Sequence, residues 1–466
     1  MKTEKIKLIF ACVLVIVLSS CVSTELPELP ENDIPAEWQY SAENTENWPS
    51  LTWWLNFNSP ELNEIMVRLY ENNLDLDNNA RNFEQAQIEL RDAGFDLYPT
   101  PILDIGLNER YSGNRPNGES FTDDSDTTAN LGFGFSYTDI LSKPARYNVA
   151  VARYDSDIAN LADLRLNIQG TAASTYFQIL LIRDLIVAAE QNLANAEEIS
   201  KIIQARVDAG TVTPIDALQQ RITVERQRND LKTLLQNELS ARASMATLLA
   251  ISVHSLVINE NSLADVVVPA VQAGIPSDLL LRRPDLVAAE ANLRLFRANV
   301  DLARLTFFPN LSLTGGADLV SGSLSSLLDD GDLGVSIIGN AVQTLLDNGA
   351  RRRNLRSTEL DLETSLANYR EAVITAFNQT EVALSNIQVL SSLSKVAAED
   401  LARAEEAFRI AGFRYREGVA QYQTLLTTQD TLFSVRNAFL NSKLAELNAI
   451  ISLYQSLGGG WTAPDS

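Results

Sequence analysis

Histidine and cysteine, the side chains that most often supply metal ligands, nucleophiles and general bases, are nearly absent from this chain. The only histidine is His254, and the two cysteines are Cys12 and Cys21, both near the N-terminus. Metal sites built from histidine and cysteine, and Cys/His or Ser/His/Asp triads, therefore lack their parts. His254 follows Ser252 in a predicted loop, which is typical of a solvated histidine. The inventory predicts a protein that is not an enzyme and that holds no cofactor or metal.

Cys21 is the residue whose position best matches a covalent modification. Lysines at positions 2, 5 and 7 precede an apolar run at 8–18 that is too short to span a bilayer, the pattern of a secretory signal peptide. The LSSC sequence at 18–21 resembles the lipobox of bacterial lipoproteins, in which the cysteine becomes the acylated first residue. This resemblance implies a signal peptide at 1–20 and a lipid-anchored segment at 21–58. The alternative is an ordinary signal peptide in which the cysteine has no role.

The overall charge excludes one class of partner. The chain of 466 residues has 37 Lys+Arg against 60 Asp+Glu, a formal charge of −23. Nucleic-acid binding needs clustered basic residues, so no nucleic-acid partner is expected. A hydrophobic content of 45% excludes a disordered chain. No stretch after the first twenty residues consists of the roughly 18 apolar residues of a membrane helix, so a polytopic helical membrane protein is not expected.

The clearest feature of the sequence is an internal repeat. ARVDAGTVTPIDAL at 205–218 aligns with FRYREGVAQYQTLL at 413–426, an offset of 208 residues, and LYPTPILDIG at 97–106 aligns with FFPNLSLTGG at 307–316, an offset of 210. We interpret this as a duplication. The predicted organisation is a first repeat at 59–253, a linker at 254–276, a second repeat at 277–461 and a tail at 462–466.

Each repeat is predicted to contain a helix, two strands and a long helical hairpin. Apolar residues step by threes and fours along 182–203 and 362–376, the pattern of a helix with one packed face. Proline is absent from 310–463, which favours uninterrupted helices. We expect helices at about 146–207 and 351–417, roughly 90 to 100 Å long at 1.5 Å per residue. The hairpins turn near Gly210 and Gly418.

Alternating segments predict the strands at about 101–113, 128–139, 309–321 and 332–343. Leu103, Ile105 and Leu107 alternate with polar residues or glycine, and the other three segments repeat the theme. Alternation marks a sheet with one apolar face, which is compatible with lipid or with a soluble half-buried sheet. The signal pattern favours lipid. Four strands cannot close a membrane barrel, which starts at eight, so two, three or four copies must share one.

Three motifs resemble the TolC-like outer membrane efflux proteins, specifically their lipoprotein branch. They are GIPSDLLLRRPDLVAAEANLRLFRANVDLARLTFFPNLSLTG at 274–315, LDNGARRR at 346–353 and NAIISLYQSLGGGW at 448–461. The resemblance implies a mixed α and β membrane protein. It further implies a homotrimer, with a twelve-stranded outer-membrane β-barrel continuous with a long periplasmic α-helical barrel.

The same resemblance implies the function and the partners. The chain would be the passive exit duct of a tripartite efflux system in the outer membrane of a Gram-negative bacterium, in contact with outer membrane lipid. It would export drugs, metal ions or other small solutes when docked to a periplasmic adaptor and an inner-membrane RND-type pump. Two alternatives stay open: a duct for type I protein secretion, and a non-conducting coiled-coil lipoprotein that scaffolds the envelope.

The resemblance also places the gate and the adaptor-docking surface at the hairpin tips. Carboxylates there could form an acidic ring that attracts cations, or could simply be solvated loop charges. A second ring is not expected, because Thr424 and Thr427 occupy positions where the family commonly has aspartate. The arginines could link the helices and hold the entrance shut. The candidate residues are Arg206, Asp208, Gly210 and Asp216 on the first tip, and Arg414, Arg416, Glu417 and Gly418 on the second.

Several motif residues are expected to have structural roles. Ser59 and Ser277 have the side chain of a helix N-cap, and each is followed within a few residues by an apolar run. Pro284 suits the first turn of a helix, with Asp285 at the positive end of the helix dipole.

Overall fold

The computed structural model describes residues 37–40, 48–112, 124–260, 262–263, 266–270, 274, 276–323, 327–329 and 331–462. The predicted signal peptide and Cys21 lie outside the described residues. The chain divides into two compact units. The first includes Glu84–Ser156 and Ala289–Arg370, and the second includes Glu31–Phe83, Asp157–Ala288 and Glu371–Ser466.

The described residues form helices and strands in the order that the repeat predicts. The first half contains α1 (Pro60–Asn72), α2 (Leu74–Phe95), β1 (Thr100–Ser112), β2 (Asp124–Tyr137), α3 (Lys143–Asp208) and α4 (Pro214–Leu248). The second half contains α5 (Leu279–Arg282), α6 (Pro284–Leu305), β3 (Asn310–Ser321), β4 (Asp332–Val342), α7 (Ala350–Arg416) and α8 (Tyr422–Ser456).

The duplication is visible in matched elements and in matched contacts. Helices α2 and α6 both have 22 residues, α4 and α8 both have 35, and α3 and α7 have 66 and 67. Arg228 pairs with Glu197 at 3.0 Å, and Arg436 pairs with Glu405 at 2.9 Å. Both residues of the second pair lie 208 positions after those of the first. Each ion pair joins the two helices of its own hairpin.

The four strands form one antiparallel sheet in the first unit, in the order β1-β2-β3-β4. The outer strands β1 and β4 each pair on one side only within the described chain. Their other edges carry backbone groups that need partners if the sheet lies in hydrocarbon.

One face of the sheet is apolar across all four strands. Leu103 lies opposite Phe133, Phe133 opposite Ala317, and Ala317 opposite Val335. The neighbouring row on the same face is Ile105, Leu131, Leu319 and Leu333. Leu103, Phe133 and Val335 are 65%, 67% and 74% exposed. Such a continuous exposed apolar face is suited to lipid.

The opposite face is polar and rich in glycine. One row across it consists of Asp104, Gly132, Asp318 and Gly334. Next to this row, the Asn130 side-chain amide donates to Asp104 at 2.6 Å. The two faces therefore separate the polar and apolar residues as the alternation predicts.

The strand limits differ little from the predicted ones, except at the start of β2. β1, β3 and β4 each begin and end within one residue of prediction. β2 begins at Asp124, four residues before the predicted 128, because Asp124 pairs with Ser112 across the hairpin. Backbone pairing therefore extends the strand into a polar segment that shows no alternation.

Aromatic residues form the core of the second unit. Trp53 stacks on Tyr454 with ring centroids 5.0 Å apart, and Phe57 contacts Phe177 at the same distance. The Trp53 indole N–H donates to Gln169 at 3.1 Å. These rings join the short 3₁₀ helix Trp53–Phe57 to α3 and α8.

Among the described residues, one helix, α3, contains a segment that is long and apolar enough to cross a membrane by length and composition. This segment was not predicted from the sequence, because that prediction considered only uninterrupted runs of apolar residues. More than half of that segment is buried inside the protein. Packing against the aromatic core accounts for its composition.

The helix starts confirm two structural assignments and correct a third. The Ser59 hydroxyl accepts the backbone N–H of Leu62 at the start of α1, and α6 begins at Pro284. The prediction for Ser277 is wrong. Ser277 lies inside a 3₁₀ turn at Pro276–Asp278, and Asp278 occupies the N-cap of α5 without a side-chain hydrogen bond. The extra turn displaces the helix start by one residue.

Candidate functional site: the hairpin tips

The two tip turns have the same backbone path. Gly210 and Gly418 have φ values of +71° and +75°, a left-handed conformation that favours glycine. The N–H of Thr211 donates to the Arg206 carbonyl at 2.9 Å. In the second turn, the N–H of Val419 donates to the Arg414 carbonyl, also at 2.9 Å. Both turns therefore close the preceding helix in the same way.

The helix that leaves each turn starts differently. Thr213 caps α4, and the N–H of Thr213 donates to the Asp216 carboxylate at 3.3 Å, completing a capping box. Gln421 occupies the corresponding position before α8 and makes no side-chain cap. The Asp216 carboxylate thus has a structural role besides its charge.

An apolar cluster packs the two hairpins together near the tips. It joins α3 of the first hairpin to α7 and α8 of the second. The buried members are Ile199, Ile203, Ala411, Tyr415, Tyr422 and Leu425.

Four side chains connect the hairpins within this cluster, and we call them the latch: Arg206, Tyr415, Gln220 and Tyr422. Arg206 donates to the Tyr415 carbonyl at 3.0 Å, and its guanidinium lies 4.4 Å from the centre of the Tyr415 ring. The Tyr422 hydroxyl donates to the Gln220 side-chain oxygen at 2.5 Å. Gln220, fully buried, donates to the Ala196 carbonyl at 2.8 Å.

The latch tyrosines are shielded from water. Burial, with the nearby Tyr415, Asp216 and Asp430, raises the pKa of Tyr422 to about 12. Burial also raises the pKa of Tyr415, against the opposing effect of the Arg206 charge. Both hydroxyls are therefore neutral at physiological pH.

The predicted site residues fall into two groups. Arg206 makes the expected link between hairpins, and Asp208 accepts a hydrogen bond from Gln204 at 2.9 Å. Arg414, Arg416 and Glu417 are exposed and form no ion pair within the described chain, so the two arginines do not link helices of one copy.

Sequence reasoning missed Gln220, Tyr415 and Tyr422. The available signal was the position of each tyrosine on the apolar stripe beside a tip glycine, three residues before and four residues after Gly418. An arginine can stack on such a ring, and a buried hydroxyl needs an acceptor.

The tips also expose an apolar stripe on one hairpin. Ile215, Leu218 and Ile222 on α4 are 63%, 59% and 69% exposed. The positions 208 residues later are Gln423, Leu426 and Asp430, of which one is apolar. The surfaces of the two tips are therefore chemically different.

No group of three histidine, cysteine, aspartate or glutamate side chains that could hold a metal ion occurs in the described part of the chain. The tips can offer charge, apolar contact and hydrogen bonds to a partner or to passing solutes.

Known proteins resemble this chain along its length. A family model described as outer membrane efflux protein matches residues 66–250 and 275–459. The pyoverdine export outer membrane protein OpmQ of Pseudomonas aeruginosa is 31% identical, and the alignment covers 99% of this chain and 98% of OpmQ. The cation efflux system protein CusC of Escherichia coli is 27% identical over 98% of this chain and 99% of CusC.

Solved structures show the same fold. The Campylobacter jejuni CmeC outer membrane channel superposes with a TM-score of 0.85 at 22% identity, covering 96% of each chain. The outer-membrane channel OprN superposes with the same TM-score at 23% identity, covering 95% of this chain and all of OprN.

The two matched segments correspond to the two repeats, and the fold is that of trimeric channels with a β-barrel and a helical barrel. Proteins of this type are transporters that work with adaptors and inner-membrane pumps. The chain belongs to the outer membrane efflux protein family, the TolC-like channels that span the outer membrane and the periplasm.

Proposed function

We propose that the paired hairpin tips are the periplasmic gate of a passive exit duct and the docking surface for an adaptor that connects the duct to an RND-type pump. The latch is the observation that carries this proposal. Few polar contacts hold the two hairpins together there, so a partner that competes for those contacts can separate the tips. The exposed stripe of Ile215, Leu218 and Ile222 gives such a partner an apolar surface.

We further propose that the cargo consists of small solutes and that Cys21 carries the lipid anchor. The related proteins are named for pyoverdine export, solvent efflux and cation efflux, which supports small solutes as a class. The lipobox-like LSSC sequence supports acylation of Cys21. Mass spectrometry of the mature N-terminal peptide tests the anchor, because acylation adds the mass of fatty acid chains.

Planar bilayer recording tests the gate. Purified wild-type trimers should insert small conductances, because the closed latch keeps the entrance narrow. Tyr415→Ala removes the ring under Arg206 and should raise the open fraction several-fold. Tyr40→Ala, an exposed tyrosine outside the tips, is the control. Material that is monomeric and non-conducting, or a Tyr415→Ala trimer that gates as the wild type does, would contradict the proposal.

Planar bilayer recording also tests whether the tip carboxylates form an acidic ring that attracts cations. Asp216→Asn removes one charge per copy but keeps an oxygen that can accept the Thr213 N–H, so α4 should start normally. We expect the reversal potential in a salt gradient to shift towards lower cation preference. Asp92→Asn removes the same charge from an exposed position on α2, outside the tips, and is the matched control. An unchanged reversal potential for Asp216→Asn would contradict the acidic ring and show that the tip carboxylates are ordinary solvated charges.

A further inference from the structure

The start of α7 carries more positive charge than its surroundings balance. Residues 347–356, DNGARRRNLR, contain one aspartate and four arginines, a net charge of +3 in a chain of net −23. Asp347 is already paired with the Arg351 side chain at 2.7 Å. Arg356 is paired with Glu363 at 3.1 Å.

Arg352 and Arg353 are the surplus. Both are exposed, and neither contacts a carboxylate among the described residues. Arg353 donates to the backbone carbonyl of Asn348 at 2.7 Å, which leaves its charge uncompensated. Two guanidinium groups are therefore exposed on the single chain without an acidic partner among the described residues.

The fold itself gives no reason for this surplus. Cations in the first turn of a helix are opposed by the helix dipole. The corresponding junction of the first repeat, residues 139–148, has a net charge of only +1. Arg146 pairs there with Asp139 at 3.2 Å, and Lys143 is buried against the Tyr137 ring. The second junction instead exposes two arginines that have no such partner, and this excess charge suits an external anion.

The surplus lies at one border of the apolar sheet face. Arg351 donates to the Thr344 carbonyl at 2.6 Å and to the Thr306 carbonyl at 3.3 Å, which holds the start of α7 beside the ends of the last two strands. Between β4 and α7, Leu345 and Leu346 are 84% and 92% exposed.

Aromatic residues occupy the same border. Because the sheet is antiparallel, β1 begins at the end where β4 stops, and the residues just before β1 include Phe95 and Tyr98. Both rings are largely exposed. Exposed aromatic, aliphatic and basic side chains at the edge of an apolar band are typical of the interface between membrane and water.

We propose that Arg352 and Arg353 bind the phosphate groups of anionic phospholipids in the periplasmic leaflet of the outer membrane, while Leu345 and Leu346 contact the adjoining acyl chains. The planar guanidinium fork matches phosphate geometry. A trimer would present six such groups around its circumference. This inference rests on the outer-membrane placement of the family and is independent of the gate.

Lipid retention by the purified full-length trimer tests the proposal. The trimer is exposed to equal amounts of phosphatidylglycerol and phosphatidylcholine in detergent, and the retained lipids are counted by native mass spectrometry. We expect the wild type to prefer phosphatidylglycerol. Arg352→Gln combined with Arg353→Gln should lower the ratio of the two lipids at least about five-fold, the effect of one basic residue at an anionic surface.

The matched control makes the same charge change elsewhere on α7. Arg403→Gln combined with Arg409→Gln removes two arginines that are paired with acidic neighbours, and it should keep the wild-type lipid ratio. Arg352→Lys combined with Arg353→Lys keeps the charge and should keep most of the preference.

Two results would overturn the proposal. One is an unchanged lipid ratio in the Arg352/Arg353 glutamine variant. The other is loss of the trimer in that variant while the remaining trimers keep the ratio, which would assign these arginines to carboxylates of a neighbouring copy. The trimers that do form should keep the wild-type single-channel conductance and open fraction, which separates this test from that of the gate.

Discussion

At the residue scale, the latch depends on a tyrosine that must remain protonated. Tyr422 donates its hydroxyl proton to Gln220, and burial raises its pKa to about 12. A tyrosine in an unfolded chain has a pKa of about 10. Because the folded-state pKa is the higher one, the stabilisation is complete below pH 10 and is lost as the pH rises towards 12.

We therefore expect Tyr422 to ionise near pH 12. The measurement is the tyrosinate absorbance of the wild type minus that of Tyr422→Phe, followed through an alkaline titration of the detergent-solubilised trimer. Circular dichroism on the same samples reports whether the helices persist. A difference signal that is complete near the free-tyrosine value of about 10 would show that the hydroxyl is open to water.

At the element scale, the two repeats end their last helix in the same left-handed conformation but with different residues. Ala250 has φ +53°, and Gly458, which lies 208 residues later, has φ +81°. A Cβ at Gly458 would lie 2.1 Å from the carbonyl oxygen of Arg282. Alanine is therefore tolerated at the first site, whereas the second site requires glycine because another backbone approaches it.

Gly458→Ala should lower the free energy of unfolding by about 2 kcal/mol or more, since it combines left-handed strain with displacement of the Arg282 backbone. Thermal unfolding followed by helical circular dichroism measures the change. Ala250→Gly is the control. Relief of strain there is offset by greater freedom of the unfolded chain, so we expect a change within about 1 kcal/mol. Equal effects of the two substitutions would refute the argument.

The long helices could be predicted from the sequence because their apolar periodicity extends over many turns without proline. The prediction of 146–207 compares with Lys143–Asp208, and 351–417 with Ala350–Arg416. Predictions of single caps and of contacts between distant residues were less reliable. The cap prediction at Ser277 was wrong by one residue, and the latch was missed because Gln220 and Tyr422 lie about 200 residues apart in the sequence. Such a contact depends on how the hairpins pack.

At the scale of the whole molecule, closure of the sheet connects the single chain to the channel. The described part of one chain supplies four strands with two unpaired edges, and the trimeric fold of the family supplies the missing neighbours. The apolar face then meets lipid, while the polar face with Asp104 and Asp318 lines the interior. A charge on the apolar face should therefore harm assembly far more than the same charge on the other face.

Val335→Arg tests this orientation. Arginine at the middle of a bilayer costs about 2 to 4 kcal/mol, and three copies share one barrel. We expect the yield of membrane-inserted trimers, measured by gel mobility with and without heating, to fall sharply. Asn340→Arg adds the same charge on the polar face of the same strand and should assemble normally. Equal yields for the two variants would rule out the assigned orientation.

The unlike surfaces of the two tips have a consequence for whatever binds them. In the proposed gate, three chains place six hairpins around one mouth, but only every second hairpin offers the exposed apolar stripe of Ile215, Leu218 and Ile222. The rim is thus threefold in its chemistry although nearly sixfold in its backbone. A ring of identical partner subunits that binds this rim must either contain three subunits or contact alternate hairpins in two different ways.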